Sequence, residues 1–175
     1  MIYFTADLHL GHGNIIKYCH RPFDDADHMD CALIQRWNEV VSPDDTVYVL
    51  GDLTMKGPSQ CALYASRLAG TIRVVPGNHD RAWLKHPPSQ IEILPSSFRY
   101  LVDDVTTLIC QHEPIPALSP LAPFSTYLLH GHSHGQTRQL PPRTLDVGVD
   151  CHVYRPISLI EVMTILHRRE DSNVR

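Results

Sequence analysis

Short apolar runs alternate with helical patterns along the first half of the chain, and this order predicts an α/β fold. Residues 1–6 form a predicted strand, and residues 46–50 are continuously apolar, as is typical of a strand covered on both faces. A third strand is predicted over 72–75. Residues 27–41 and 59–69 carry apolar side chains at helical spacing. The β-α-β-α-β order brings the carboxyl ends of the strands to one edge, where open α/β sheets hold their ligands.

The second half of the chain is predicted to be richer in strands. Residues 97–102 and 105–110 form a predicted hairpin, and residues 126–129 and 144–149 are two further predicted strands. The proline-rich stretch 113–125 predicts a surface loop.

Ser158 and Glu161 have the spacing of a capping box, which predicts a final helix that ends near His167. The charged residues 168–175 are predicted to be a frayed tail. Because the chain shows neither an internal repeat nor a change of composition, residues 1–175 are predicted to form one domain, long enough to bury a full core.

Composition, charge and cysteine spacing argue against several classes of protein. The net charge of −4 and the lack of a basic stripe disfavour binding to long nucleic acid. No apolar run approaches the roughly 20 residues that a membrane helix needs, and the first residues lack a basic leader. The five cysteines are scattered, without a Cys-x-x-Cys pair, which disfavours a disulfide framework and a structural zinc site. We therefore expect reduced thiols and a cytoplasmic protein.

Five short polar motifs each follow an apolar run. They are Asp7-Leu8-His9, Gly51-Asp52, Gly77-Asn78-His79-Asp80, Gln111-His112 and Gly131-His132-Ser133-His134. A single histidine at a strand end is usually a surface or hydrogen-bonded residue, and a single asparagine there is usually a turn residue. The ordered set of five motifs instead favours one common site. Carboxylate and imidazole groups together suit Mn²⁺, Fe²⁺, Ni²⁺ or Zn²⁺.

The potential ligands are too numerous for a single tetrahedral metal site. They are Asp7, His9, Asp52, Asn78, His112, His132 and His134. This number suits two ions about 3.5–4 Å apart, which would lower the pKa of a bridging water and neutralise charge on a phosphoryl group. His79 would then be free to act as a general acid or to donate to a phosphate oxygen, and we expect Asp80 to orient its ring.

The five motifs, in this order, resemble those of the calcineurin-like metallophosphoesterase superfamily. The resemblance extends from residue 5 to about 157, and the stretches 7–16 and 147–150 are similar to small bacterial and phage phosphoesterases. It implies a four-layer α/β/β/α sandwich and a dinuclear site. One implied metal has the ligands Asp7, His9, Asp52 and His134. The other has Asp52, Asn78, His112 and His132, so that Asp52 bridges the ions. His79 would protonate the leaving group.

Three further residues are candidates for substrate contact. Glycines beside His12 and Asn14 would let this loop approach a ligand, although they are equally typical of a plain turn. Arg21 is either a phosphate-binding residue or a solvated surface arginine.

Three residues in the second half of the chain are candidates for structural roles. Asp146 and Asp150 are predicted either to support the metal ligands from behind or to form turns. His130 is predicted to be structural.

The sequence favours hydrolysis of a phosphomonoester or phosphodiester through a hydroxide that bridges two divalent ions, with Mn²⁺ preferred. The substrate is predicted to be small, such as a nucleotide, and the loops 12–26, 53–58 and 113–125 would select it. A nuclease or a cyclic-nucleotide phosphodiesterase is the enzymatic alternative. A non-catalytic scaffold of the same fold is disfavoured because every motif ligand is present.

Overall fold

Two β-sheets lie face to face at the centre of the structure. The computed structural model describes residues 1–119, 121–136 and 141–173, with side chains as far as residue 169. The strands are β1 (Ile2–Thr5), β2 (Thr46–Leu50), β3 (Thr71–Val75), β4 (Ile91–Ile93), β5 (Ser97–Leu101), β6 (Thr107–Gln111), β7 (Thr126–His130), β8 (Thr144–Asp146) and β9 (Ile157–Ser158). The helices are α1 (Gly13–Tyr18), α2 (Ala26–Val40), α3 (Pro58–Ala65) and α4 (Leu159–Asn173), and 3₁₀ turns lie at Asp80–Ala82 and Val149–Cys151.

The first sheet has the order β4-β3-β2-β1-β9, and all its pairs are parallel except β1 with β9. Thr5 is in register with Val49, and Leu50 is in register with Val75, so the strands β1, β2 and β3 end at the same edge. The predicted β-α-β-α-β order is confirmed, and it brings the first three polar motifs to one edge of the sheet.

The second sheet has the order β5-β6-β7-β8. Strands β5 and β6 form the predicted antiparallel hairpin, whereas β6, β7 and β8 are parallel. His112 and Gly131 follow the parallel strands β6 and β7, and the Gly131 N–H donates to the His112 carbonyl oxygen at 3.0 Å. A bridge between Ala6 and Gly148 joins the two sheets at the edge where these motifs lie.

Alternate residues of the first sheet supply two separate hydrophobic cores. Val47 and Val49 of β2 face helices α1, α2 and α3, whereas Tyr48 and Leu50 face the second sheet. Because β2 is covered on both faces, its continuously apolar sequence is explained. Helix α4 adds Val162 to the core between the sheets.

The fold class is confirmed as mixed α/β, with two sheets flanked by helices. The four-layer order stays a prediction, since α4 joins the core between the sheets. The capping box is present: the Ser158 N–H donates to Glu161 Oε2 at 2.8 Å, and the Glu161 N–H donates to Ser158 Oγ at 3.2 Å.

The prediction that the last helix ends near His167 is wrong, because α4 continues to Asn173. Arg169 Nη1 donates to the Thr144 carbonyl oxygen at 3.0 Å, and this contact fixes the last turns of the helix against β8. Residues 174–175 of the predicted tail lie outside the described part of the chain. Helices α1 to α4, as far as the structure describes them, include none that is long and apolar enough to cross a membrane.

Candidate metal centre

The predicted metal ligands lie in turns that directly follow strands, and most of them have an unusual backbone conformation. Five of the predicted ligands have a positive φ: Asp7 (59°), His9 (52°), Asp52 (58°), His132 (66°) and His134 (51°). A non-glycine residue in the left-handed region costs on the order of 1–3 kcal/mol and persists where its surroundings enforce it. The surrounding structure therefore holds these residues in an unfavourable backbone conformation that directs their side chains toward one place.

Two groups of ligand atoms face each other across the ends of the sheets. Asp7, His9 and His134 offer ligand atoms that lie within 4.8 Å of one another, and we call these residues the Asp7 group. Asp52, His112 and His132 do the same.

Asn78 joins the second set, because its Oδ1 lies 2.9 Å from His112 Nε2 and 3.1 Å from His132 Nδ1. We call Asp52, Asn78, His112 and His132 the Asp52 group.

Asp52 lies between the two groups. Its Oδ2 is 3.5 Å from His9 Nε2 on one side and 3.4 Å from His112 Nε2 on the other. The other oxygen, Oδ1, accepts the His79 N–H at 2.9 Å, which fixes the rotation of the carboxylate. The structure thus brings all seven predicted ligands together, with the Asp52 carboxylate between the two groups.

The surroundings of the His9 ring indicate whether a cation fits this site. Both ring nitrogens are buried and have no hydrogen-bond partner among the described residues. Burial lowers the pKa of His9 to about 2, so the imidazole is neutral and its lone pair is available. A buried polar group without a partner costs about 1–3 kcal/mol. A metal ion held by Asp7, His9 and His134 would give one of these nitrogens a partner, and the donor set fits such an ion.

Glycines surround the carboxylates where any side chain would collide with them. A Cβ on Gly77 would lie 2.2 Å from Asp52 Oδ1, and a Cβ on Gly148 would lie 2.8 Å from Asp7 Oδ2. Gly51 has a φ of +89°, and a Cβ there would lie 2.3 Å from His112 Nδ1. The glycines of the motifs thus let the backbone approach the ligands closely.

Hydrogen bonds fix the orientation of two ligand imidazoles. His112 Nδ1 donates to the Leu50 carbonyl oxygen at 2.8 Å, and His134 Nδ1 donates to Asp150 Oδ2 at 2.8 Å. In each ring the Nε2 atom therefore faces the other ligands. Such partners orient metal ligands in many proteins.

Two residues of the site, Asp7 and His112, have a raised pKa, which favours their protonated forms when no metal is bound. Burial raises the pKa of Asp7 to about 7, against the opposing charges of His134 and His112. Burial also acts to lower the pKa of His112, but the hydrogen bond and charge of Asp52 outweigh it and raise this pKa to about 9. Burial acts to raise the pKa of Asp52, and its hydrogen bond with His112 outweighs this and lowers the pKa to about 2. Metal binding must displace these protons.

The expected role of Asp80 is wrong. Its carboxylate does not contact the His79 ring but accepts backbone N–H groups from Gly77 (2.9 Å), Asp52 (2.8 Å) and Leu53 (3.0 Å). It is fully buried and also accepts the Trp83 indole N–H at 3.2 Å. Asp80 therefore fixes the turn that carries Asp52.

Both interpretations of Arg21 are wrong. The residue is only 4% exposed, so its guanidinium is neither solvated nor open to a substrate. It forms an ion pair with Asp150 at 2.8 Å, because buried charge is stable only when paired. The structure thus supports the role of Asp150 behind a ligand. Arg21 and Asp150 are 129 residues apart, and no local sequence signal links them.

The remaining candidates lie around the centre. The His79 ring is half-buried, with its centroid 5.2 Å from that of His9. The His12 ring lies 5.6 Å from His9 and 6.3 Å from His79. Asn14 is exposed in the first turn of α1.

The two other residues of the second half have structural contacts. Asp146 accepts the backbone N–H groups of Gly135 (3.0 Å) and Gly148 (2.8 Å), so it fixes these turns. His130 is buried, and its Nδ1 lies 2.8 Å from the Gly131 carbonyl oxygen.

Comparisons with known proteins agree with this geometry. The family model described as calcineurin-like phosphoesterase matches residues 1–150. The chain is 31% identical to the uncharacterized protein MJ1445 of Methanocaldococcus jannaschii, over 95% of this chain and 92% of the relative. It is 27% identical to the gene 66 protein of Mycobacterium phage D29, over 85% of this chain and 87% of the relative.

The fold is also similar to that of a solved structure, the protein of unknown function AQ665 from Aquifex aeolicus. The TM-score is 0.70 at 23% identity, and the match covers 94% of this chain and 98% of the other. The family match extends over most of the chain and indicates metal-dependent phosphoester hydrolysis as the general activity. Clusters of His and Asp that could hold a metal ion are present. The predicted family is confirmed: the chain belongs to the calcineurin-like phosphoesterases.

Proposed function

We propose that the protein hydrolyses a small phosphoester with two divalent ions bound at the same time, one in the Asp7 group and one in the Asp52 group. The observation that carries this proposal is the position of Asp52 Oδ2, which is 3.5 Å from His9 Nε2 and 3.4 Å from His112 Nε2. A carboxylate oxygen so placed between two sets of imidazoles suits a bridging ligand. When bound, the two ions would activate a water molecule for attack on phosphorus and offset negative charge on the phosphoryl oxygens.

His79 is the residue that we propose to protonate the leaving group. Its backbone N–H donates to Asp52 Oδ1 at 2.9 Å, and its ring packs edge-on against the ring of His9. The half-buried position leaves the imidazole accessible to a bound substrate. A general acid must lie within hydrogen-bond reach of the atom that it protonates. The position of the His79 ring at the edge of the metal centre supports this role.

The substrate that we propose is a phosphodiester or phosphomonoester of nucleotide size. The net charge of −4 supports a small substrate over a long nucleic acid, because tight binding of a polyanion depends on many Lys and Arg contacts. Mn²⁺ is the ion that we propose, since imidazole, carboxylate and amide ligands occur together here.

Metal content and hydrolysis, measured on the same samples, test the proposal. We expect two ions per chain by elemental analysis and Mn²⁺-dependent hydrolysis of bis-p-nitrophenyl phosphate, p-nitrophenyl phosphate or both. Cleavage of the diester would favour a nucleotide-like diester as substrate, and cleavage of the monoester alone would favour a phosphatase. Two ions without turnover on any phosphoester would favour a metal-binding scaffold.

Two variants separate metal binding from proton transfer. Asp52→Ala is expected to lose both bound metal and turnover, because it removes the bridging carboxylate. His79→Ala is expected to keep two ions and to lose about 10²–10⁴-fold in kcat on substrates with poor leaving groups, the usual contribution of a general acid. His86→Ala, at an exposed histidine outside the centre, is the control. Parent-like turnover of His79→Ala on such substrates would exclude the acid role.

A further inference from the structure

Arg21 supports the Asp7 group through three partners, which are the carbonyl oxygens of Asp7 and Leu8 and the carboxylate of Asp150. Its Nη2 atom donates to the Asp7 carbonyl oxygen at 2.7 Å, and its Nη1 atom donates to the Leu8 carbonyl oxygen at 3.0 Å. These two carbonyl groups belong to the turn in which Asp7 and His9 have positive φ. Arg21 therefore stabilises the strained backbone that presents two of the three ligands.

The third ligand is fixed through Asp150. Arg21 Nε donates to Asp150 Oδ1, and Nη2 donates to Asp150 Oδ2, both at 2.8 Å. Asp150 Oδ2 in turn accepts the His134 Nδ1–H at 2.8 Å. The two-point contact fixes the plane of the carboxylate, and the carboxylate fixes the direction of the imidazole.

Arg21 does not support the Asp52 group in the same way. Its hydrogen bonds, among the described residues, reach Asp7, Leu8, Met29 and Asp150. The turn that carries Asp52 is instead held by Asp80. Loss of Arg21 should therefore affect one half of the centre before the other.

We propose that Arg21 is a positioning residue that, together with Asp150, assembles the metal site of the Asp7 group and not that of the Asp52 group. The inference rests on the proposed two-metal function. Lysine cannot replace arginine here, because its single ammonium cannot form the two-point contact with Asp150 and still reach both carbonyl groups. The expected signature of Arg21→Lys is a selective loss of one metal site in a folded protein.

Titration with Mn²⁺, followed by calorimetry and by electron paramagnetic resonance, tests this inference without a measurement of activity. The parent is expected to bind two ions and to show the spectrum of a coupled pair. Arg21→Lys and Asp150→Asn are each expected to weaken one of the two sites by about 10–100-fold, as loss of a partner behind a ligand usually does. At Mn²⁺ concentrations that fill both sites of the parent, these variants are expected to show the spectrum of an isolated ion.

The controls identify which site is lost. His134→Ala removes a ligand of the Asp7 group and His132→Ala removes one of the Asp52 group, so the spectrum of Arg21→Lys should match that of His134→Ala. Arg155→Lys alters another Arg–carboxylate pair, Arg155 with Glu161 at 2.7 Å, and should keep both sites. The double variant Arg21→Lys/Asp150→Asn should lose less affinity than the sum of the two single losses, because both changes break the contact between Arg21 and Asp150.

Three results would overturn the inference. If Arg21→Lys and Asp150→Asn both bind two ions with the affinity of the parent, the inference fails and the two-metal function stands. If both sites weaken equally in these variants, Arg21 has only a general structural role. If the parent binds a single ion, the two-metal function fails and the inference fails with it. Thermal unfolding without metal shows whether Arg21→Lys is folded, and Asp150→Asn carries the test if it is not.

Discussion

The two halves of the metal centre are held in place by different means. A buried ion pair between Arg21 and Asp150, which are 129 residues apart in the chain, supports the Asp7 group. A single carboxylate, Asp80, supports the Asp52 group from 28 residues along the chain and accepts backbone N–H groups. Both arrangements enforce left-handed turns at the ends of strands.

The difference shows two ways to stabilise a buried carboxylate. In Asp150, burial acts to raise the pKa, but hydrogen bonds from His134 and Arg21 outweigh it and the pKa is lowered. In Asp80, burial raises the pKa against the backbone N–H of Gly77, and the nearby charge of Asp52 adds to the rise. An opposite charge thus favours the ionised form of Asp150, while the donors to Asp80 are neutral N–H groups of the backbone and of Trp83.

The largest effect is expected from Asp80→Ala. This variant leaves the buried N–H groups of Gly77, Asp52 and Leu53 without their acceptor, so the free energy of unfolding should fall by more than about 3 kcal/mol. Urea unfolding of the metal-free protein measures it. Asp103→Ala is the matched control, because Asp103 also accepts two backbone N–H groups, from Val105 and Thr106, but at the surface. An equal loss in both variants would show that burial of Asp80 is unimportant.

The second effect concerns the glycines beside the two carboxylates. Gly148→Ala should weaken the metal site of the Asp7 group by at least about tenfold, because the new Cβ displaces the Asp7 carboxylate. Gly77→Ala should weaken both sites, because its Cβ displaces Asp52, the proposed bridging ligand. Mn²⁺ titration measures both affinities. Gly57→Ala is the control, since a Cβ there meets no atom within 4 Å. If Gly148→Ala weakened both sites as much as Gly77→Ala does, the two halves would not be independent.

The strands and the ligand motifs were predictable from the sequence because both are local patterns. Thr46–Leu50 is apolar throughout, and each motif directly follows such a run. The short strands β4 and β9 and the helix α1 were not predicted, since two or three residues of strand carry too little periodicity. The continuation of α4 was missed because the Arg169 contact that fixes it is made with a distant strand.

The supports behind the ligands were predicted less well than the ligands themselves. Arg21 was predicted to bind phosphate or to be a solvated arginine, and Asp80 was predicted to orient the His79 ring, yet both are buried behind the ligands. A charged residue next to a motif is usually solvated, and only the tertiary fold shows that Asp150 or a row of N–H groups compensates its burial. His9 and Asp52 could be identified because an ordered set of ligands is a pattern in the sequence itself.

The third effect is a difference in pH dependence between the two supports. Because the pKa of Asp150 is lowered in the folded protein, its stabilising contribution is present above its ordinary pKa of about 3.9 and is lost as pH falls through the folded value. Because the pKa of Asp80 is raised, stability instead increases as pH falls through its folded value. The measurement is the free energy of unfolding against pH for the metal-free parent and for each variant. As the pH falls into the acid range, the value of the parent should approach that of Asp150→Asn and move away from that of Asp80→Asn. Parallel curves for the two variants would contradict the comparison.

The smallest effect is expected at the mouth of the centre, where the His12 imidazole lies beside the Asp7 group. The His12 ring lies 5.6 Å from that of His9, and burial, followed by the charge of His79, lowers its pKa, so the ring is neutral at pH 7. A neutral ring can donate one hydrogen bond to a substrate oxygen, and loss of such a bond costs about 0.5–1.5 kcal/mol. His12→Gln should therefore raise KM about 3–10-fold, with kcat and the number of bound Mn²⁺ ions unchanged. His86→Gln, at an exposed histidine, is the control. A loss of bound Mn²⁺ in His12→Gln would place this residue among the supports of the Asp7 group rather than on the substrate side.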